Sequence, residues 1–420
     1  MGLGGINMAD VKSRREEISN SLEESSMLIL YSGKSPVKSA DETYSFTPDR
    51  NFYYFTDLDI ENAYLVICKT EAKTVEKLFI ERNDPKLARW VGEKPSKEHC
   101  SKFSKIQQED IFFLDELNGY IGDTLSRSNI KNVYLYLKSP HWEHMTKEKL
   151  IAQEIQRLFP HVSIKDVSTK IAELRTIKDE EEINNIKKAI EITREGILNI
   201  IKNSKPGMYE YELEAYFDFS LRKNGVKDFA FKPIVASGPN STILHYSANN
   251  RKTQEGDLVL LDLGAQYNYY SGDISRTFPI TRQFSPRQAE IYQIVLNTQK
   301  EVQSQAKPGL TLFELNEIAK KSLAESCKKI GLIHSDEELS KYYFHSVSHF
   351  LGLDTHDVGD KNIPLKPGMV ITNEPGLYIE EEGIGVRIED DLLITENGCE
   401  NLSREIPKDI EEIECIWSVL

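Results

Sequence analysis

Cysteine is scarce. The five thiols, Cys68, Cys100, Cys327, Cys399 and Cys415, are scattered through 420 residues, odd in number and never at Cys-x-x-Cys spacing. That excludes a disulfide framework and a cysteine-built zinc site, and it points to a reducing compartment. Long apolar runs are missing as well. The longest, AYLVIC at 63–68 and LVLL at 258–261, fall far short of the ~20 residues that cross a bilayer. No membrane span is expected. Positive charge is the third shortage: 52 Lys and Arg against 67 Asp and Glu give a net charge of −15. A surface this acidic repels phosphate backbones, and no local basic patch offsets it, so nucleic acid is excluded as a partner. The opening MGLGGIN is too short for a signal-peptide core, and Ile6 stands where a myristoylation signal requires Ser or Thr. The sequence therefore predicts a cytoplasmic protein.

At ~150 residues per domain the length suggests two or three domains, each able to bury a core. The chain is 28% charged and 39% hydrophobic, as globular proteins are. Strand-like runs (Met27 to Tyr31, Ala63 to Cys68, Val133 to Leu137) alternate with helical stretches such as Lys147 to Leu158. This pattern predicts a smaller α/β domain over residues 1–168. The aromatic segment Asn51-Phe52-Tyr53-Tyr54-Phe55 reads as packing against its sheet.

The remainder, 169–420, has a different texture and repeats itself. Asp179 to Glu182 place negative charge at a helix start, and Ile183, Ile186, Ile190, Ile197 and Ile201 follow at helical spacing. Lys205-Pro206-Gly207 stops that helix, and a second is expected over 210–225. The motif recurs: a helix over 288–305, then Lys307-Pro308-Gly309, with Glu314-Leu315 standing 102 positions after Glu212-Leu213. A further correspondence supports it. Gly256 begins an apolar run leading into Asp262, and Gly368 one leading into Glu374, each acid six residues on. Two such copies predict pseudo-twofold halves with a site at their junction.

Asp262, Asp273, Glu374 and Glu389 all lie in or beside Val, Ile and Leu runs, where carboxylates are costly without a counter-charge. One such acid is ordinarily a salt bridge or a turn residue; four in two matched copies call for a cation. Strand alternation puts Arg387 on the same face as Glu389, either to orient carboxylates or as a surface ion pair. His345, His349 and His356 fall within twelve residues, and His245 follows Ile243-Leu244. One imidazole among several carboxylates is the composition of a site for two divalent ions, with oxygen-rich ligation favouring manganese. Four carboxylates balance two such ions. A water held between them is acidic enough to attack at neutral pH, which says metal-assisted hydrolysis.

At these residues the chain resembles the creatinase/methionine-aminopeptidase superfamily (peptidase family M24), and within it aminopeptidase P and prolidase, most of all the Xaa-Pro aminopeptidases. The resemblance covers nearly the whole chain and rests on LLDLGAQYNYYSGDISRTFP (260–279), SHFLGLDTHDVG (348–359), NEPGLYIE (373–380), GVRIEDDLLIT (385–395) and LRTIKDEEEI (174–183). It implies an aminopeptidase P-like N-terminal domain and a C-terminal pita-bread metallopeptidase domain. Asp262 would bind one metal, Asp273 and Glu389 would bridge both, and His349 with Glu374 would complete the second. Glu374 would also take the proton of the attacking water. His245 and His356 match the family's substrate- and intermediate-binding histidines, His345 another active-site histidine, and Arg387 the arginine that steadies the acids. The implied substrate is a peptide with proline second, cut before the proline, and the implied assembly is a homo-oligomer, dimer or tetramer. Prolidase is the nearest alternative, and a non-catalytic peptide-binding protein on the same fold a remote one. Two departures stand out. Ser346 occupies a position that is often glycine in the family, and only thirteen positions separate Glu374 from Arg387, which suggests a small loop at the substrate entrance.

Overall fold

A computed structural model describes residues 10–139 and 141–418; MGLGGIN and Ile6 lie outside them. The chain divides after Arg175 into two compact units.

The first unit is built on a six-stranded sheet in the order Ile111–Phe113, Thr74–Ile80, Tyr64–Lys69, Ser26–Tyr31, Asn132–Leu135, Ser163–Asp166. The three strands at its centre pair antiparallel, and the outer pairings are parallel. Met27, Leu28, Ile29 and Leu30 are buried in succession, the mark of a strand covered on both faces. The aromatic segment forms the helix Arg50–Thr56, capped by Asp49. Phe52 and Phe55 are fully buried there, and the helix packs on the Ser26–Tyr31 strand, so these rings are core.

In the second unit the repeat becomes two helix pairs and two three-stranded antiparallel sheets. Helix Glu180–Asn203 opens with a capping box between Asp179 and Glu182. All five isoleucines of its stripe are at most 3% exposed, each contributing roughly 1.5–3 kcal/mol by burial. It packs on helix Glu210–Lys223, closely because residue 196 is glycine: a Cβ there would come within 2.2 Å of the Phe217 ring. The second pair is Pro286–Gln305 and Leu312–Lys329, each with its own capping box. Between partners the chain turns at Gly207 and Gly309, with φ of +90° and +94°. The strands that follow start after Gly256 and Gly368, at +85° and +89°. All four need the left-handed conformation that glycine supplies without strain, so the duplicated glycines mark duplicated turns.

One sheet orders Ile274–Pro279, Leu258–Leu263, Ile234–Ser237; the other Val370–Asn373, Asp390–Ile394, Cys399–Asn401. Between the strands of the second sheet lies a hairpin, Gly376–Ile379 with Ile384–Arg387. The thirteen positions from Glu374 to Arg387 are spent on this hairpin, whose register sets Arg387 opposite Gly376. Among the described residues no helix is long and apolar enough to cross a membrane.

Candidate metal centre and substrate cavity

The acids are placed by strand register. In the first sheet Asp262 faces Ser275 and the last rung joins Leu263 to Ile274, so Asp273 lies one residue past it. In the second the last rung joins Asn373 to Asp390, so Glu374 and Glu389 both lie one residue past it. The two sheets meet there: the Glu389 amide donates to the Ser275 carbonyl at 3.1 Å, and Thr277 and Arg387 are bonded to each other. Four carboxylates converge from matched positions of the two halves.

His349 joins them. Its Nδ1 donates to the Phe350 carbonyl at 3.0 Å, which leaves Nε2 with a lone pair, 3.4 Å from both Asp273 Oδ2 and Glu374 Oε1. Ligand atoms ~2.1 Å from one cation stand about 3 Å apart or slightly more, so this spacing suits a shared ion. Asp273, His349 and Glu389 each offer a ligand atom within 4.8 Å of the others. Asp262 Oδ2 accepts from Arg387 at 2.7 Å, while its Oδ1 is buried with no hydrogen-bond partner among the described residues. Burial, reinforced by the neighbouring carboxylates, raises the carboxyls of Asp273 and Glu389 well above the usual range, and burial raises Glu374 too. Arg387 answers one negative charge of four. Oxygen-rich donors with one imidazole and three unanswered charges fit divalent cations.

Arg387 is 2% exposed, so the surface-pair alternative falls away. Its guanidinium donates to Asp262, to Ser275 Oγ at 2.8 Å and to Tyr378 Oη at 3.0 Å. Ser275 Oγ in turn donates to Glu389 Oε2 at 2.7 Å. Tyr378 Oη donates to His345 Nε2 at 2.9 Å, because His345 Nδ1 is committed to the Ser346 carbonyl at 2.9 Å. Burial and the Arg387 charge hold the His345 imidazole down to about 4, so it is neutral at physiological pH with both nitrogens engaged inside the protein. Ser346 keeps an ordinary negative φ, and the missing glycine brings no strain.

His245 and His356 are exposed on the wall of a cavity of about 820 Å³. Its lining includes all nine residues singled out in the sequence: His245, Asp262, Asp273, His345, His349, His356, Glu374, Arg387 and Glu389. The His356 and His349 rings meet edge to face at 4.4 Å, and burial lowers the His356 imidazole. Asp357, next along, pairs with Lys178 at 3.0 Å, both side chains 1% exposed.

Sequence reasoning missed the supports. Tyr378 and Ser275 link the arginine to the acids, and Thr372 Oγ1 donates to Glu374 at 3.2 Å. Asp391 accepts the Asp273 amide at 3.1 Å. Behind Glu389, Arg276 donates to that residue's carbonyl and to Asp390. Asp390 also takes Lys408, and Arg276 and Lys408 outweigh its burial and hold its carboxyl down to about 2. Tyr378, Asp390 and Asp391 stand inside the quoted motifs; only their contacts were invisible.

Two family models match, Metallopeptidase family M24 over residues 184–396 and Aminopeptidase P, N-terminal domain over 11–134. A Xaa-Pro aminopeptidase of Haemophilus influenzae is 32% identical, with 96% of each chain covered. The chain belongs to the aminopeptidase P branch of metallopeptidase family M24. A Bacillus anthracis structure provisionally designated aminopeptidase P superposes on this M24 chain with a TM-score of 0.95 at 50% identity, over 97% of both. The fold is thus that family's, an N-terminal α/β domain and a C-terminal pita-bread domain. A Xaa-Pro dipeptidase of Pyrococcus furiosus is 36% identical over 84% of this chain and 91% of its own.

Proposed function

We propose that this M24 protein is a metal-dependent Xaa-Pro aminopeptidase that releases the N-terminal residue of peptides with proline in the second position. The observation that carries the reading is the convergence of five candidate ligand side chains and three further histidines in one cavity, on a chain whose two domains both match that family. Asp262, Asp273, His349, Glu374 and Glu389 would hold two divalent ions, with manganese favoured. Bound there, the ions would acidify a water and polarise the scissile carbonyl.

The remaining chemistry belongs to the chain. The Glu374 carboxylate takes a proton from the attacking water and returns it to the proline nitrogen as that bond breaks. His245 and His356 bind the substrate and the developing oxyanion from the cavity wall. His345, with its nitrogens occupied, holds Tyr378, and Tyr378 holds Arg387 against Asp262. Proline at the second position fits a dedicated site, since its amide has no N–H and its ring fixes φ. A cytoplasmic homo-oligomer is part of the same reading.

The dipeptidase relative favours one second reading, cleavage of Xaa-Pro dipeptides alone. Chelator-stripped protein assayed on Xaa-Pro and Xaa-Pro-Xaa peptides, before and after manganese, separates the two. Metal-dependent cleavage of the tripeptide before proline is the expected result. Cleavage of only the dipeptide makes the protein a prolidase, and cleavage of neither by metal-loaded protein refutes both readings.

A further inference from the structure

The duplication supplies an internal control for one buried acid. Glu210 begins the helix Glu210–Lys223 and is 0% exposed. The residue 102 positions on is Leu312, which begins the matching helix and packs in an apolar cluster with Phe350, Leu365 and Ile371. This helix position therefore needs only an apolar side chain to fold. A carboxylate there, costly to bury, has another purpose.

Its partners show which. Glu210 Oε1 accepts from the Ser237 amide and hydroxyl, both at 2.7 Å, and from Asn240 Nδ2 at 3.0 Å. Oε2 accepts from Tyr246 Oη at 2.7 Å and the Arg251 amide at 2.9 Å. Every donor lies between 237 and 251, the segment that carries His245. The Arg251 guanidinium closes the segment on Ser237 Oγ at 2.8 Å and on Asp257 at 2.6 Å. Gly238 turns beneath that pair with φ of +51°, where a Cβ would come within 2.5 Å of Asp257 Oδ1. His245 makes no hydrogen bond of its own among the described residues, so its backbone sets where its ring stands, and the neighbouring Tyr246 is tied to Glu210.

We infer that Glu210 is a positioning residue for His245, the buried acceptor around which residues 237–251 are wound so that the imidazole faces the cavity. This rests on the proposed role of His245 in substrate binding. Glu210→Gln keeps the shape but turns an N–H₂ toward groups that are themselves donors, and Tyr246→Phe deletes one of them.

The test is a double-mutant cycle on the metal-loaded full chain with a Xaa-Pro-Xaa peptide, joined to hydrogen exchange. Glu210→Gln is expected to keep both metals, to lose about tenfold or more in kcat/KM, and to show the KM-against-kcat split of His245→Ala. In the His245→Ala background it should cost less than about threefold, because the two act as one unit. Additive losses, or metal loss, overturn the inference. Exchange should quicken in 238–250 and not in the strand Leu258–Leu263; unchanged exchange in 238–250 also overturns it. If wild-type protein cleaves no Xaa-Pro peptide, the functional reading fails while the exchange arm still decides the anchor. If Glu210→Gln does not fold, Tyr246→Phe and Asn240→Ala carry the same cycle.

Discussion

Replacing Lys178 by methionine removes one charge from a pair that water cannot reach. Its ammonium lies 3.0 Å from Asp357 Oδ2, and both side chains are 1% exposed. The packing is tight: a Cβ on Gly352 would come within 2.2 Å of that carboxylate oxygen and 3.0 Å of Lys178 Cε. At 3 Å and an effective dielectric of 20 the attraction is about 5–6 kcal/mol. Desolvation offsets much of this in the intact pair, but deleting the ammonium leaves the buried Asp357 carboxylate without this cation, at about 3–5 kcal/mol. In a unit of this size that lowers Tm by about 6–20 °C. Urea or thermal unfolding is followed through Trp417, which is 7% exposed and the one tryptophan of the second unit; Trp90 and Trp142 are each 87% exposed and report little. Lys178→Met combined with Asp357→Asn should be less destabilised than the two single changes summed, by about 2 kcal/mol or more. A Lys178→Met protein within about 1 kcal/mol of wild type would refute the reasoning. Because Asp357 adjoins His356, the same change should lower kcat/KM.

The raised carboxyls of Asp273 and Glu389 hold protons in the metal-free fold that the unfolded chain gives up near pH 4. Stability of metal-free protein should therefore fall as pH rises above about 4, whereas metal affinity should rise with pH; calorimetry in buffers of different ionisation heat should find protons released on metal binding, and none released would contradict the cage. Glu374→Ala should remove a ligand and the proton acceptor together, lowering kcat by about a thousandfold or more; near wild-type turnover with manganese would reassign it. His356→Ala should keep both metals by elemental analysis yet lose rate, and a missing ion would move it among the ligands. Gly196→Ala should cost about 1–3 kcal/mol by pushing the helix into Phe217; an unchanged urea midpoint would show that the two helices part freely.

The fold was legible where local chemistry repeats. Lys-Pro-Gly stops, acid-rich helix starts and glycine-led apolar strands each say the same thing twice, and the structure pairs them. Strand Thr74–Ile80 was not read, because Glu76 and Lys77 interrupt its apolar pattern and only its last three residues are fully buried. Site residues were visible as types out of place, acids in apolar runs and clustered histidines. Their supports were not, because Ser275, Thr372 and Tyr378 are unremarkable in a strand, and what they hold lies on another strand or in a loop. Glu210 escaped for a related reason: an acid at a helix start already has an ordinary explanation in the helix dipole, and only the fold reveals that its oxygens face a loop instead.

The division of the candidate ligands between two halves has a consequence for biosynthesis. Arg387 meets Asp262 across 125 positions, so at ~5–20 residues per second the arginine follows its partner out of the ribosome by about 6–25 s. For that interval Asp262 and Asp273 are carboxylates without their counterparts from the later half, and the first sheet waits for the strand register that sets Glu389 against Ser275. Ion capture by the full set would then wait until the later half of the chain has emerged and folded.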